Sequence, residues 1–121
     1  MNDITLEFPL QSALNTTVRL TTGGVCAFAG LSFDDSEDCK VCVTESLILL
    51  AGRGFTRARL PFSGEEELTA VIEGKDRAEA GAKDEGDEIS AALISALAEN
   101  VVMEKTDGEI YKIRFQFGRK A

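Results

Sequence analysis

The segment from residue 33 to residue 54, FDDSEDCKVCVTESLILLAGRG, constrains the fold more than any other part of the chain. It begins with carboxylates, which stabilise the exposed N–H groups at the start of a helix, and it ends at glycines, which favour a helix end. Apolar side chains recur within it at helical spacing and form one stripe: Cys39, Cys42, Val43, Leu47 and Leu50. The pattern predicts a long helix whose second half is buried between layers. One charged residue, Glu45, stands inside this apolar run.

The length and the charge of the chain limit its possible functions. The 121 residues suffice for one core, and we expect residues 1–121 to form a single domain. The formal net charge is −8 with no histidine, whereas proteins that bind nucleic acid or anionic membranes need basic patches. We therefore expect neither of these partners. No apolar run approaches ~20 residues and the N-terminus does not resemble a signal peptide, so we expect a cytoplasmic protein.

The cysteines are Cys26, Cys39 and Cys42, and the last two match a C-x-x-C pattern. Zinc would lack ligands here, because the sequence has no histidine and no second pair of cysteines. A redox pair would normally begin a helix that follows a strand, whereas this pair follows an acidic first turn that would raise the thiol pKa. We therefore expect buried, reduced thiols and no metal site.

The segments before and after the central helix predict further strands and helices. Residues 4–8 alternate as a half-buried strand that Pro9 closes. Residues 12–30 predict a helix whose stripe is Leu14, Val18, Thr21, Val25 and Phe28. Gly23 and Gly24 inside it indicate either the close approach of another backbone or a helix break. Residues 58–62 and 68–72 predict a hairpin.

The last third of the chain predicts a loop, a helix and a second hairpin. Residues 74–88 show no periodicity and predict a loop, either a lid or the remnant of one. A third helix follows from the stripe of Ile89, Ala92, Leu93, Ala96 and Leu97. Residues 101–105 and 110–117 predict strands around the favoured turn Asp107-Gly108.

The predicted order is therefore β-α-α-β-β-α-β-β. This order predicts an α/β (α+β) two-layer sandwich, with three helices on one face of a mainly antiparallel mixed sheet. The residues expected in its core are Val43, Leu47, Leu50, Leu93, Leu97, Ile113 and Phe115.

Several stretches of the sequence resemble the anti-sigma-factor serine kinases of the histidine-kinase-like ATPase (GHKL) superfamily. These stretches are VRL at 18–20, GLSFDD at 30–35, EDCK at 37–40, VCVTES at 41–46 and IEG at 72–74. The resemblance covers nearly the whole chain. It implies the Bergerat α/β sandwich and a place in partner-switching regulation of transcription in bacteria. Family members hold a sigma factor and phosphorylate a serine on an antagonist protein.

The nucleotide motifs of the family are altered in this sequence. The resemblance implies a helix glutamate, matched by Glu45, and an asparagine one turn later whose oxygen binds magnesium; here that position is Leu49, which has no oxygen. The adenine-side motif, Asp-x-Gly-x-Gly, is reduced to Glu73 and Asp76 without the required glycines. The phosphate loop retains Gly81 and Gly86 among carboxylates, which repel phosphate. Glu45 would be a catalytic base only in an active kinase, and is otherwise a structural carboxylate paired with Arg53 or a backbone donor.

The sequence therefore leaves three functions open. The first is a degenerate anti-sigma-like regulator that binds proteins and needs no cofactor. The second is an active ATP- and magnesium-dependent serine kinase with unusual motifs, and the third is a small-molecule sensor that uses the vacated pocket. For partners, the resemblance implies a sigma factor, an anti-sigma antagonist or a second copy. We expect them to bind residues 16–24, where Arg19 and Leu20 lie outside the predicted core stripe and the glycines permit close approach.

Overall fold

The computed structural model describes residues 3–78 and 85–118, and the elements within those ranges follow the predicted order. The strands are β1 (Ile4–Pro9), β2 (Phe55–Ser63), β3 (Leu68–Arg77), β4 (Glu99–Thr106) and β5 (Glu109–Phe117). The helices are α1 (Asn15–Phe28), α2 (Phe33–Gly52) and α3 (Glu85–Leu97), and a single 3-10 turn, Ser12–Leu14, precedes α1. None of the helices in the described ranges is long and apolar enough to cross a membrane.

The strands form one sheet in the order β1-β2-β3-β5-β4. Each of these pairings is antiparallel, so the two-layer α+β architecture is confirmed, while the sheet is antiparallel throughout rather than mixed. Strand β3 continues to Arg77, through residues expected to be loop. At Gly74 a β-carbon would lie 2.5 Å from the ring of Phe55, so the position of this ring against β3 requires glycine there. The end of the predicted loop also differs from expectation, because α3 already begins at Glu85. Residues 79–84 of the predicted loop lie outside the described ranges.

Helix α2 lies at the centre of the helical layer, packed against α1 on one side and α3 on the other. The side chain of Ser32 caps its N-terminus by accepting a 3.1 Å hydrogen bond from the N–H of Asp35. The predicted helix is confirmed, and it ends at Gly52, the first of the two glycines expected to close it. Helix α1 continues without a break through Gly23 and Gly24. A β-carbon at Gly23 would lie 3.4 Å from the Lys40 side chain, so the close neighbour is a side chain and not a backbone.

The core lies between α2 and the sheet, and most of the expected residues are in it. Five expected core residues are buried: Val43, Leu47, Leu50, Ile113 and Phe115. Leu97 is only partly buried against this cluster.

The predicted faces of the two outer helices are partly wrong. In α3, Leu93 is 37% and Ile89 61% exposed, whereas Ser90 and Ile94 are buried. In α1, Thr21 and Phe28 are exposed, whereas Thr22 and Cys26 are buried. The face of α3 was predicted wrongly because polar side chains on its inward face, Asp87 and Ser90, have polar partners on other elements.

The outer face of the sheet carries a row of alternating charges across its strands. The strand register aligns Glu7 (β1), Arg59 (β2), Glu73 (β3), Lys112 (β5) and Glu104 (β4). Arg59 lies 3.5 Å from Glu7, and Lys112 lies 3.5 Å from Glu104. Opposite charges on neighbouring strands stabilise the pairing and keep this face hydrated.

Candidate functional site

Glu45 and Leu49, on successive turns of α2, face the neighbouring helix α3. The hydroxyl of Ser90 on α3 donates a 3.0 Å hydrogen bond to Oε2 of the half-buried Glu45. Leu49 lies one turn after Glu45 on the same face of α2 and is fully buried in the core, which also contains Ile94 of α3. Helix α3 therefore covers the part of α2 that, by the resemblance, faces nucleotide.

A network of four charged side chains, Arg53, Arg77, Asp87 and Glu109, lies where α2 ends. The guanidinium of Arg53 is 3% exposed and forms an ion pair with Asp87 of α3. The Nη1 atom of Arg53 lies 3.7 Å from Oε1 of Glu109 on β5. Glu109 in turn pairs with Arg77, which ends β3. A buried cation is stable only with such partners, so these pairs hold Arg53 in its buried position. We call these four residues the ion-pair network.

The ion-pair network joins elements at one end of the molecule. Nε of Arg77 donates a 2.8 Å hydrogen bond to the carbonyl of Arg53, and its guanidinium lies 5.5 Å from the ring centroid of Phe55. The network thus connects the end of α2, the end of β3, the first turn of α3 and the start of β5. The sequence predicts Arg53 only as a partner for Glu45, and Asp87 only as one of the carboxylates around Gly86 that repel phosphate. The usable signal was an arginine between glycines, Gly52-Arg53-Gly54, directly after an apolar helix.

Glu73 and Asp76, the two adenine-side candidates, are not brought together with Glu45. Glu73 follows the buried Ile72 in β3, so it points to the outer face of the sheet, away from the helices. There it pairs with Lys75 at 2.9 Å. Asp76 is exposed with a φ of 54°, and its carbonyl accepts a 2.6 Å hydrogen bond from the hydroxyl of Thr56.

A cavity of about 220 Å³ adjoins the ion-pair network. Its walls include Arg53, Asp87, Glu88, Lys105 and Ile110. Cations and carboxylates face it together, so it lacks the donor-rich lining that a polyphosphate needs. Gly81 of the expected phosphate loop lies outside the described residues, and Gly86 is part of α3.

The side chains present do not fit a magnesium–nucleotide complex held as the resemblance implies. Magnesium takes oxygen ligands, and position 49 offers a buried aliphatic side chain. Position 45 has the glutamate that the resemblance requires, but the carboxylate of Glu45 already accepts a hydrogen bond from Ser90. Glu73 lies on the opposite face of the sheet.

The predicted partner surface on α1 is exposed and nearly free of charge. Arg19 is the one charged residue among the 14 residues of α1, and its side chain is exposed. Leu20 beside it is 69% exposed, and Phe28 two turns later is 74% exposed. Gly24, between them, has no atom within 4 Å of its β-carbon position. In a protein with 28% charged residues, a helix face that exposes large apolar side chains and a single charge is typical of a contact surface.

The three thiols lie inside the helical layer. Cys26, Cys39 and Cys42 are free and buried. Burial, Asp38 and Glu45 raise the pKa of Cys42 to about 12. A hydrogen bond between Cys26 and Cys39 lowers the pKa of Cys26 and, together with burial, raises the pKa of Cys39. Within residues 3–78 and 85–118, no group of three His, Cys, Asp or Glu side chains could hold a metal ion.

Comparisons with known proteins agree with the fold. No protein-family profile matches the sequence, and no curated protein does. Among solved structures, the chain is similar to the crystal structure of the RsbU and RsbW domains of Rv1364c from Mycobacterium tuberculosis. The TM-score is 0.71 with 14% sequence identity over 100% of this chain. The alignment covers 34% of the other chain, so this protein spans about a third of its length. A similarity at this identity establishes the fold.

Proposed function

We propose that this protein is an anti-sigma-factor-like regulator that acts by binding other proteins and does not hydrolyse ATP. The observation that carries the proposal is the contact between α2 and α3. Leu49 is fully buried where the family has its magnesium ligand, and the carboxylate of Glu45 is hydrogen-bonded to Ser90. Phosphoryl transfer depends on neutralising the charge of the phosphates, and no oxygen ligand stands at position 49 to hold the metal that does so.

The fold supports the regulatory part of the proposal. The structural neighbour contains an RsbW domain, and RsbW is an anti-sigma-factor serine kinase. The same family was inferred from the sequence motifs at residues 18–20, 30–35, 37–40 and 41–46. We therefore propose a sigma factor, an antagonist of an anti-sigma factor, or a second copy of this chain as the partner.

The surface that we propose for this binding is α1. Arg19 and Leu20 are exposed on it, and Gly24 leaves space for a partner backbone. Strand β1 lies at the edge of the sheet, and a groove of about 350 Å³ runs between β1 and α1. An edge strand beside a helix face with a single charge offers both backbone hydrogen bonds and apolar contact.

Nucleotide titration tests the proposal directly. Calorimetry with ATP, with and without magnesium, should show no binding in the micromolar range. In parallel, ATP should not raise the melting temperature, although a ligand at a hundred times its dissociation constant stabilises a protein by about 2.7 kcal/mol. A clear magnesium-dependent shift would favour the active serine kinase instead.

A substitution at Leu49 sharpens this test. Leu49→Asn restores the missing oxygen ligand but leaves the adenine-side motif and the phosphate loop altered. We therefore expect Leu49→Asn to lower stability, because it buries an amide in the core, and not to create ATP binding. Gain of magnesium-dependent ATP binding by this variant would mean that a single residue disables the site.

A further inference from the structure

A strip of exposed aliphatic side chains runs along α2 and α3. On α2, Val41 and Ile48 are 40% and 51% exposed; on α3, Ile89 and Leu93 are 61% and 37% exposed. We call these four residues the α2–α3 strip. Large aliphatic side chains grouped on neighbouring helices are typical of protein-binding surfaces.

The two halves of the α2–α3 strip lie beside one another. The hydrogen bond between Ser90 and Glu45 marks the place where the two helices meet. Val41 and Ile48 lie one turn before and one turn after Glu45, and Leu93 lies one turn after Ser90. Residues three or four positions apart lie near one another on a helix surface, so the strip lies alongside this contact.

The two helices that carry the α2–α3 strip are acidic, and α2 has most of its carboxylates in the two turns before Val41. The carboxylates of α2 are Asp34, Asp35, Glu37, Asp38 and Glu45. Its one basic residue, Lys40, lies 3.1 Å from Glu37. Helix α3 contains no lysine or arginine, and its exposed Glu88 precedes Ile89 directly. The strip is therefore apolar, and the carboxylates before Val41 and beside Ile89, which we call its acidic rim, adjoin it.

We propose that the α2–α3 strip binds an amphipathic helix of a partner protein, with aliphatic residues at helical spacing flanked by lysine or arginine. Charge complementarity identifies this occupant, because basic side chains would meet the acidic rim while the aliphatic ones cover the strip. A second copy that docked through the same face would bring two acidic rims together. The strip is separate from the α1 surface, since α2 lies between α1 and α3. It is therefore a second binding surface.

A designed peptide tests this binding without knowledge of the natural partner. The probe is a fluorescent leucine–lysine amphipathic helix of about 18 residues, long enough for five turns. Fluorescence anisotropy should show binding that weakens as sodium chloride is raised. A leucine–glutamate peptide of the same pattern should not bind. The double variant Ile48→Ser/Leu93→Ser should weaken binding at least about tenfold, since central aliphatic contacts dominate such interfaces.

Matched variants separate this surface from others. Val102→Ser removes an aliphatic side chain that is 48% exposed on β4, on the other layer of the molecule, and should leave binding unchanged. Arg19→Glu should also leave it unchanged, so a failure of the α1 proposal is distinguishable from a failure here. The proposal is overturned if the leucine–glutamate peptide binds equally well, if Val102→Ser weakens binding as much as the double variant does, or if the leucine–lysine peptide does not bind. It is equally overturned if the double variant dissociates a homodimer that Arg19→Glu leaves intact.

Discussion

Leu49 and Glu45 occupy successive turns of α2, and their different chemistry gives them different roles there. The aliphatic side chain of Leu49 is stabilised by complete burial, whereas the carboxylate of Glu45 stays half-buried and needs a donor. The sequence predicted that position 49 offers no oxygen ligand, because residue identity alone decides that. It could not predict that Ser90, 45 residues later, supplies the donor for Glu45. That pairing depends on how α3 packs, which hydrophobic periodicity does not encode.

Neighbouring residues of α2 allow a matched test of the core. Leu47 is 2% exposed, whereas Ile48 is 51% exposed. Leu47→Ala should lower the free energy of unfolding by roughly 2–5 kcal/mol, because it leaves a cavity in the core. Ile48→Ala should change it by less than about 1 kcal/mol, since a surface side chain leaves no cavity. Urea denaturation of both variants measures the difference, and equal costs would mean that the face of α2 is wrongly assigned.

The thiol of Cys42 predicts a dependence of stability on alkaline pH. Its pKa is raised to about 12 in the folded protein by burial, Asp38 and Glu45, whereas an unfolded thiol ionises near pH 8.5. The contribution of Cys42 to stability is therefore fully present below about pH 8.5 and is lost as the pH rises towards about 12. Between pH 7 and pH 10, the parent should lose roughly 1–2 kcal/mol more than Cys42→Ser, whose hydroxyl does not ionise there. Parallel pH profiles of the two proteins would contradict this assignment.

The helices differ in how far their sequences specified them. Acidic residues at the start, glycines at the end and a continuous apolar stripe predicted α2 within two residues of its observed end. In α3 the same method selected the wrong face, because Asp87 and Ser90 point inward to Arg53 and Glu45. Hydrophobic periodicity assigns every polar residue to the solvent-exposed face, even one whose side chain is paired with a polar group on a neighbouring element. The exposed Ile89 and Leu93 completed the misleading stripe.

The ion-pair network should contribute to stability through Asp87. Asp87→Asn removes the charge that faces the buried Arg53, while Glu109 remains on its other side. We expect a loss of about 1.5–3 kcal/mol in the free energy of unfolding, as for hydrogen bonds to charged groups. Glu88→Gln changes the neighbouring, exposed carboxylate and should cost less than about 0.5 kcal/mol. Thermal denaturation compares the two, and an equal, small effect would show that the network does not stabilise α3.

At the scale of the whole molecule, the two layers have different surfaces. The outer face of the sheet carries the alternating row of charges from Glu7 to Glu104, whereas the helical layer exposes the face of α1 with its single charge and the α2–α3 strip. The sequence predicted two layers, because each helix has one apolar stripe and most strands have one apolar face. It did not predict the strand order β1-β2-β3-β5-β4, because long-range pairing leaves no local pattern. The surfaces suited to partners are therefore on the helical side and at the β1 edge.

If α1 is the binding surface, a change of its charge should weaken association without lowering the stability of the fold. Arg19 is exposed and is the one charged residue of α1, so Arg19→Glu should reverse the local charge with a change in stability of less than about 0.5 kcal/mol. If α1 forms the interface, this variant should weaken the homodimer in sedimentation or reduce recovery of a sigma factor or antagonist in pull-down from the source cell. Arg57→Glu makes the same charge change on β2, on the other face of the sheet, and should leave association intact. A parent protein that is a solitary monomer in both assays would remove the interaction proposal, because neither a second copy nor a partner would then occupy α1.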